Sequence, residues 1–395
     1  MGDNITDTNT PISLALLLYE SSKGREVVKK ILFFPLLRMP SGHHQVADTV
    51  AGYLKKRDSN LLCKKIDLLS AWNPLVESVV TKTYLEWIRH FPKTYAWAYK
   101  QMAHTSKSGR SYKYYEFVFL KKMKKIISEE NPDLIFCTHG FPSYFLSRLK
   151  MQNECQVPVI NVYTDFFIND VWGREGIDYH FVPTQAVKKD LMIKNKILEN
   201  QIFVTGIPIG EQFERKLKLI KMNVKWNVLV SGGSIGLGGI IDLLPRHNNN
   251  KGVKYFVLCG KNKSLYQKIA KLHCEHIHPL PYISSRERMN ELYSKADAVI
   301  TKPGGVTVSE ALHKGLPVFI HSALPGQEEI NLKLLKERKL VYELNDRQLL
   351  EDQMIGFFKD KSLTDQFNES LKTYLNELQA GDPDNIYKFI KGNVL

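Results

Sequence analysis

The 35-residue stretch DAVITKPGGVTVSEALHKGLPVFIHSALPGQEEIN, residues 297–331, limits the folds open to this chain more than any other part of it. It opens with a buried-strand pattern at 297–301. A tight Lys302-Pro303-Gly304-Gly305 turn follows, then a helical pattern with Glu310 in its first turns. A second apolar strand, 316–321, runs into Pro325-Gly326-Gln327-Glu328-Glu329. Strand, glycine turn, helix is the unit by which a parallel sheet turns helix-terminal N–H groups toward a phosphate. Glycine at 304 and 305 lets the backbone approach an anion where a Cβ would stand in the way. No Lys-Ser/Thr pair follows the glycines, so the loop is not a P-loop. The expected role is to hold a diphosphate, not to transfer one.

At 395 residues the chain is long for one ordinary domain, and two are expected. The net charge of +14 points to an anionic partner without separating membrane, nucleic acid and nucleotide. The cysteines, Cys63, Cys137, Cys155, Cys259 and Cys274, form no CxxC or zinc spacing. Reduced thiols in a cytoplasmic protein, with no metal and no cofactor, are the reading. The longest early apolar run, 12–19, is far below the roughly 20 residues of a spanning helix, and no basic segment precedes it.

Residues 1–28 read as an extension. The first repeating unit is a strand at 31–37, a Met39-Pro40-Ser41-Gly42-His43 turn, and a helix at 44–57 whose Val46, Val50, Tyr53 and Leu54 share one face. A histidine at that helix start either bonds a phosphate, accepts a proton from a hydroxyl, or merely caps. After a second strand at 61–67 the rhythm breaks. Residues 72–127 interleave Lys and Arg with Trp, Tyr and Phe, for example Trp87, Arg89, Tyr99, Lys100, Phe117 and Lys121–Lys125. That mixture suits an anionic membrane surface, as it would single-stranded nucleic acid or an ordinary helical insertion with a solvated basic face. The membrane reading is preferred, and no nucleic-acid partner is expected.

Strands return at 133–137, followed by Thr138-His139-Gly140, and at 157–163, ending in Thr164-Asp165-Phe166. Asp165 therefore sits at the carboxyl end of a strand, where open α/β sheets place ligand groups. His139 is a candidate acceptor-site residue or an ordinary loop histidine. A second half starts with a strand at 226–230 and another glycine loop, Ser231-Gly232-Gly233-Ser234-Ile235-Gly236. Asp382-Pro383-Asp384 reads as the cap of a final short helix, not as a metal motif. Both halves open with strand, glycine loop, helix. The expected fold is α/β, with two Rossmann-like domains facing across a cleft, at 29–220 and 221–378, and a last helix at 379–395.

With these residues in view the chain resembles the GT-B glycosyltransferases, and within them the processive diacylglycerol glucosyltransferases and monogalactosyldiacylglycerol synthases. The bacterial lipid II N-acetylglucosaminyltransferase is a more distant relative of that group. The matching pieces are Gly42-His43 with Gln45, Thr164-Asp165-Phe166, Val204-Thr205-Gly206-Ile207-Pro208-Ile209, Cys259-Gly260-Lys261-Asn262, Thr301–Gly305, Glu310-Ala311 and Pro325–Glu328 with Asn331. The loop before the histidine, Met39-Pro40-Ser41-Gly42, holds less glycine than is usual in the family.

The resemblance implies a UDP-sugar donor and a lipid acceptor, diacylglycerol or glycosyl-diacylglycerol, used by an inverting enzyme peripherally attached to the inner face of the cell membrane. It implies that Glu310 binds ribose hydroxyls, and that Gly304, Gly305, Thr307 and Ser234 hold the diphosphate, with Gly42 close by. Gln327 and Glu328 would read sugar hydroxyls, and backbone near Ile283 would meet the uracil. His43 would be the base, with Asp165 as second choice. Another acceptor (a polyprenyl lipid or a secondary metabolite), a UDP-sugar 2-epimerase on the same architecture, and a non-catalytic basic membrane scaffold remain alternatives.

Overall fold

The computed structural model describes residues 28–36, 41–72, 113–213, 225–232, 239–244 and 252–395, together with Thr83, Glu86, Trp87 and Thr94. The expected extension up to residue 27, most of the basic aromatic stretch, and Ser234 lie outside the described residues.

Two six-stranded parallel sheets carry the chain. The first holds β1 (Lys29–Phe34), β2 (Leu61–Lys65), β3 (Leu134–Cys137), β4 (Val159–Val162), β5 (Tyr179–Val182) and β6 (Ile202–Val204). Its helices are α1 (Gly42–Arg57), α2 (Leu68–Trp72), α3 (Lys113–Glu130), α4 (Gly140–Met151) and α5 (Gln185–Asn195). The second holds β7 (Trp226–Ser231), β8 (Val253–Leu258), β9 (Ile277–Leu280), β10 (Ala298–Thr301), β11 (Val318–Ile320) and β12 (Val341–Glu343). Its helices are α6 (Ile240–Leu243), α7 (Lys263–Ala270), α8 (Arg286–Lys295), α9 (Gly305–His313), α10 (Gln327–Glu337), α11 (Leu350–Lys359) and α12 (Lys361–Glu377), and α13 (Pro383–Asn393) closes the chain. Parallel strands covered on both faces must be apolar throughout, and β3, β4 and β10 are buried at every residue.

Strand order decides where ligands can bind. The first sheet runs β2-β1-β3-β4-β5-β6 and the second β12-β11-β10-β7-β8-β9, so both are doubly wound. The crevice of such a sheet opens where the order reverses, at the carboxyl ends of the strands. In the first sheet that point lies between β1 and β3, whose exits carry His43 and Thr138. In the second it lies between β7 and β10, whose exits carry Ser231 and Gly304-Gly305. Of the residues singled out by pattern, Gly42, His43, Gly304, Gly305, Thr307 and Glu310 follow switch-point strands, whereas Asp165 follows β4, Ile283 follows β9, and Gln327 and Glu328 follow β11.

Three local differences from expectation have plain causes. Helix α1 begins at Gly42, so His43 is inside its first turn, not ahead of it. The end of the irregular basic stretch is a regular crossover helix, α3, whose Phe119, Met123 and Ile126 are buried while Phe117 is 65% exposed. The last helix returns to the first sheet. Its Phe389 ring lies 4.3 Å from Phe203 and 5.0 Å from Tyr179, and Lys391 reaches Asp58 at 3.1 Å. Asp382 caps it, accepting from the N–H of Asp384 at 2.9 Å with Pro383 at the first helical position, as the sequence predicts. Among the described residues no helix is long and apolar enough to cross a membrane.

Candidate active site between the two sheets

The first turns of α1 and α9 face each other across the gap between the sheets. A Cβ on Gly42 would stand 3.3 Å from Val306 Cγ2. Neither helix has a side-chain cap, at Ser41 or at Gly304. Helix geometry leaves the first N–H groups of each without an intrahelical partner, and both dipoles point their positive ends at the gap. The hydroxyl of Ser41 is buried there and, among the described residues, has no hydrogen-bond partner.

His43 is held by its neighbours so that its neutral ring has one tautomer. Its Nδ1 lies 2.9 Å from the carbonyl oxygen of Thr138 and 2.9 Å from Thr164 Oγ1. A carbonyl can only accept, so Nδ1 carries the hydrogen and Nε2 keeps its lone pair. Burial pushes the imidazole pKa below its usual 6.5, against the pull of Asp165 and of the Thr138 carbonyl. Beside it, edge-on with ring centres 4.6 Å apart, stands His139. His139 caps α4 by accepting from the N–H of Phe141 at 3.0 Å, and burial together with His43 holds it well below the usual histidine range. His139 is thus the N-cap of α4, a role that neither the acceptor-site nor the loop reading gave it.

Asp165 ties the two sheets together. Its carboxylate accepts from Gln327 Nε2 and, at 2.8 Å, from Asn331 Nδ2. Asn331, 1% exposed, also donates to Pro303 O at 3.1 Å and accepts from the N–H of Phe166 at 2.9 Å. Glu328 accepts from the N–H of Leu324 at 2.6 Å and has Lys302 Nζ at 4.0 Å; burial raises its pKa. Gln327 and Glu328 thus stand at the start of α10 with protein partners already engaged.

Beyond α9 the gap widens into a cleft of about 330 Å³, lined by Ser41 and Asp48 on one side and Ile283, Arg286, Thr307 and Glu310 on the other. Glu310 accepts from Tyr293 Oη at 3.1 Å. Burial pushes its pKa up to about 7, with the Tyr293 bond and the Arg286 charge pulling the other way. Gly304 and Gly305 differ. No heavy atom lies within 4 Å of a Cβ built on Gly304, whereas one on Gly305 would stand 2.1 Å from Thr164 O and 2.7 Å from Ile207 Cδ1. Gly305 therefore serves the approach of one half to the other, whereas Gly304 has open space beside its backbone.

Comparison with known proteins decides the family. The family model of monogalactosyldiacylglycerol (MGDG) synthase matches residues 43–209, and that of the group 1 glycosyl transferases matches 236–373. The uncharacterized glycosyltransferase YkoN of Bacillus subtilis (strain 168) is 42% identical over 367 residues, 92% of this chain and 97% of YkoN. The chain is a glycosyltransferase of the diacylglycerol glucosyltransferase and MGDG synthase family. The processive diacylglycerol beta-glucosyltransferase of the same bacterium is 27% identical over 346 residues, 84% of this chain and 88% of that one.

Solved structures agree on the GT-B architecture of this glycosyltransferase. Acinetobacter baumannii MurG superposes with a TM-score of 0.55 at 13% identity, covering 92% of this chain and 99% of MurG. The S. aureus MnaA-UDP co-structure gives 0.56 at 14%, covering 93% and 98%. At such identities they speak for the fold alone.

Sequence patterns found Ile283, Thr307 and Glu310, which line the cleft, Gly42 and His43 in the first turn of α1, Gly304 and Gly305 at the start of α9, and Asp165 with Gln327 and Glu328 where α10 meets the other half. They missed Tyr293, the partner of Glu310, and Arg286, which reaches across the cleft. Neither carries a motif. Tyr293 looks like any apolar-face residue of a helix, and Arg286 like one more surface charge in a basic chain.

Proposed function

We propose that this glycosyltransferase moves a hexose from a UDP-sugar to diacylglycerol or a glycosyl-diacylglycerol, with inversion, at the cytoplasmic face of the membrane. The observation that carries the reading is His43: Nδ1 donates to a backbone carbonyl, and Nε2 keeps a lone pair at the junction of the two halves. Nε2 takes the proton of the acceptor hydroxyl as its oxygen attacks the anomeric carbon. The bond from that carbon to the phosphate oxygen breaks, and its electron pair leaves with UDP. The uncapped N–H groups and dipole of α9 stabilise the charge growing on the diphosphate. With its carboxylate committed to Gln327 and Asn331, Asp165 acts in this scheme by holding α10 against the acceptor half and favouring charge on His43.

The test is direct. The purified protein is incubated with a panel of UDP-sugars and diacylglycerol in mixed micelles, and the lipid products are read by mass. One or more hexose additions are expected. UDP binding without lipid product from any sugar would sink the lipid acceptor; no UDP binding in calorimetry would sink the enzyme reading.

Glu310 gives this reading a pH signature. Its carboxylate must be ionised to accept from two ribose hydroxyls, and its pKa is near 7. UDP affinity should therefore fall as pH drops from 8 to 6, by up to about tenfold. Folding linkage has the opposite sign: a carboxyl whose folded pKa is raised adds stability below its unfolded value of 4.5 and loses it as pH rises through 7. Glu310→Gln should bind UDP more weakly at pH 8 and lose most of the pH dependence; a wild-type pH profile in that variant would count against the ribose role.

The membrane part rests on α3, where exposed Phe117, Lys121 and Lys125 recur at four-residue spacing on one face. Each lysine near anionic headgroups contributes about 1 kcal/mol. Flotation with anionic liposomes should weaken as salt rises and on neutralising Lys121, Lys122, Lys124 and Lys125. Binding that ignores both changes would rule out this face.

A further inference from the structure

Arg286 is the first residue of α8, immediately after the capping Ser285. A cation there opposes the helix dipole, so helix stability does not account for it. Its side chain leaves the sugar-donor half and crosses to the other one. Nη1 donates to Thr49 Oγ1 at 2.7 Å and Nη2 to the carbonyl oxygen of Gln45 at 3.2 Å. Both acceptors lie on α1, the helix whose first turn carries His43, and Thr49 is 5% exposed. The crossing is made at the cleft itself, whose lining includes Arg286 together with Glu310 and Ile283. On its other side Arg286 lines a second cavity of about 540 Å³ with Thr49, Gly52, Tyr53 and Gln212. The guanidinium is thus a partition between two spaces and a strut between two half-molecules.

We propose that the bond from Arg286 to Thr49 and Gln45 is a cross-cleft latch, which fixes α1, and with it His43, relative to the sugar-nucleotide held by the other half. Arg286 is then a positioning residue, acting through α1 and not as a ligand of the nucleotide. The inference rests on the cleft being the UDP-sugar site. A latch of this kind closes the cleft wall and sets the base against the anomeric carbon. Its loss leaves Ile283, Thr307 and Glu310 in place, so nucleotide affinity is retained while the reacting groups lose alignment. Thr49→Val removes the shorter of the two bonds while leaving the arginine charge untouched, and Arg286→Met removes both.

The experiment is a double-mutant cycle on the full chain, with transfer rates and UDP calorimetry for wild type, Arg286→Met, Thr49→Val and the pair. Each single variant should lower kcat by about tenfold and hold the UDP Kd within about threefold at pH 9, where Glu310 is ionised without the help of the Arg286 charge, and the pair should lose no more than the worse single. Three results would overturn the latch: wild-type kcat in Thr49→Val, a loss of UDP affinity confined to Arg286→Met, or additive losses in the pair. If the wild type binds UDP but transfers to no lipid, the acceptor reading has failed separately. The latch is then read from small-angle scattering with UDP bound, where both single variants should be more open than wild type, and unchanged scattering would overturn it.

Discussion

Replacing His43 by alanine should lower kcat by about 10²- to 10⁴-fold, the range for loss of a positioned general base. UDP affinity should stay near wild type, because the nucleotide contacts expected of Glu310, Thr307 and Gly304 all lie on the other half of the molecule. The size of the effect follows from how the ring is held. Its Nδ1 hydrogen is committed to the Thr138 carbonyl with Thr164 alongside, so a single tautomer is present and the lone pair always sits on Nε2. Two neighbours that could compete for the proton are already engaged. His139 uses its own Nδ1 lone pair to cap α4, and Asp165 is bound by Gln327 and Asn331. The pH profile tests the same assignment. Burial lowers the His43 pKa, so the working neutral form persists below pH 6.5 and is lost only as pH falls through the lowered value. At saturating UDP-sugar, where Glu310 titration no longer limits binding, kcat should fall only on the acid side, at a pH below the usual histidine value of 6.5. A fall of less than fivefold in His43→Ala, or an acid limb unmoved by His43→Gln, would hand the role to another group.

How much of this was legible in the chain depends on the range of the signal. Both parallel sheets follow from local pattern: a strand buried on two faces is apolar throughout, as in VINV of β4 and AVIT of β10, and β10 is followed by a turn and a helical repeat. The switch-point residues were legible because they sit at strand exits. What the sequence could not carry was the contact of one half with the other. Nothing local says that Arg286 will meet Thr49, 237 residues away, or that Asn331 will bond the backbone of Phe166. Gly305 was only half legible for the same reason. Its place in a glycine turn suggests an anion, whereas the neighbour that excludes a Cβ is the carbonyl of Thr164, brought there by the tertiary fold.

That difference between the two glycines yields a second large effect. In Gly305→Ala the new methyl would stand 2.1 Å from Thr164 O and 2.7 Å from Ile207 Cδ1. Ile207 can move its side-chain end, but the Thr164 oxygen is backbone, fixed between the Thr164 hydroxyl at His43 and the Asp165 bridge to α10. Relief must come from the two halves separating by about 1 Å, and a shift of that size near reacting atoms costs about 10²-fold in rate. Forcing one methyl group into a close-packed contact also destabilises by about 1–3 kcal/mol. The expected outcome is a lower Tm and at least a hundredfold slower transfer, without change at the nucleotide contacts. Gly304→Ala serves as the internal control. Open space surrounds that position, so its Tm should match wild type, and any loss should appear as weaker UDP binding where the diphosphate approaches the backbone. The two substitutions, one residue apart, thus separate closure of the halves from anion binding. A Gly305→Ala protein with wild-type Tm and rate would show that the halves do not meet at Thr164 in the working enzyme.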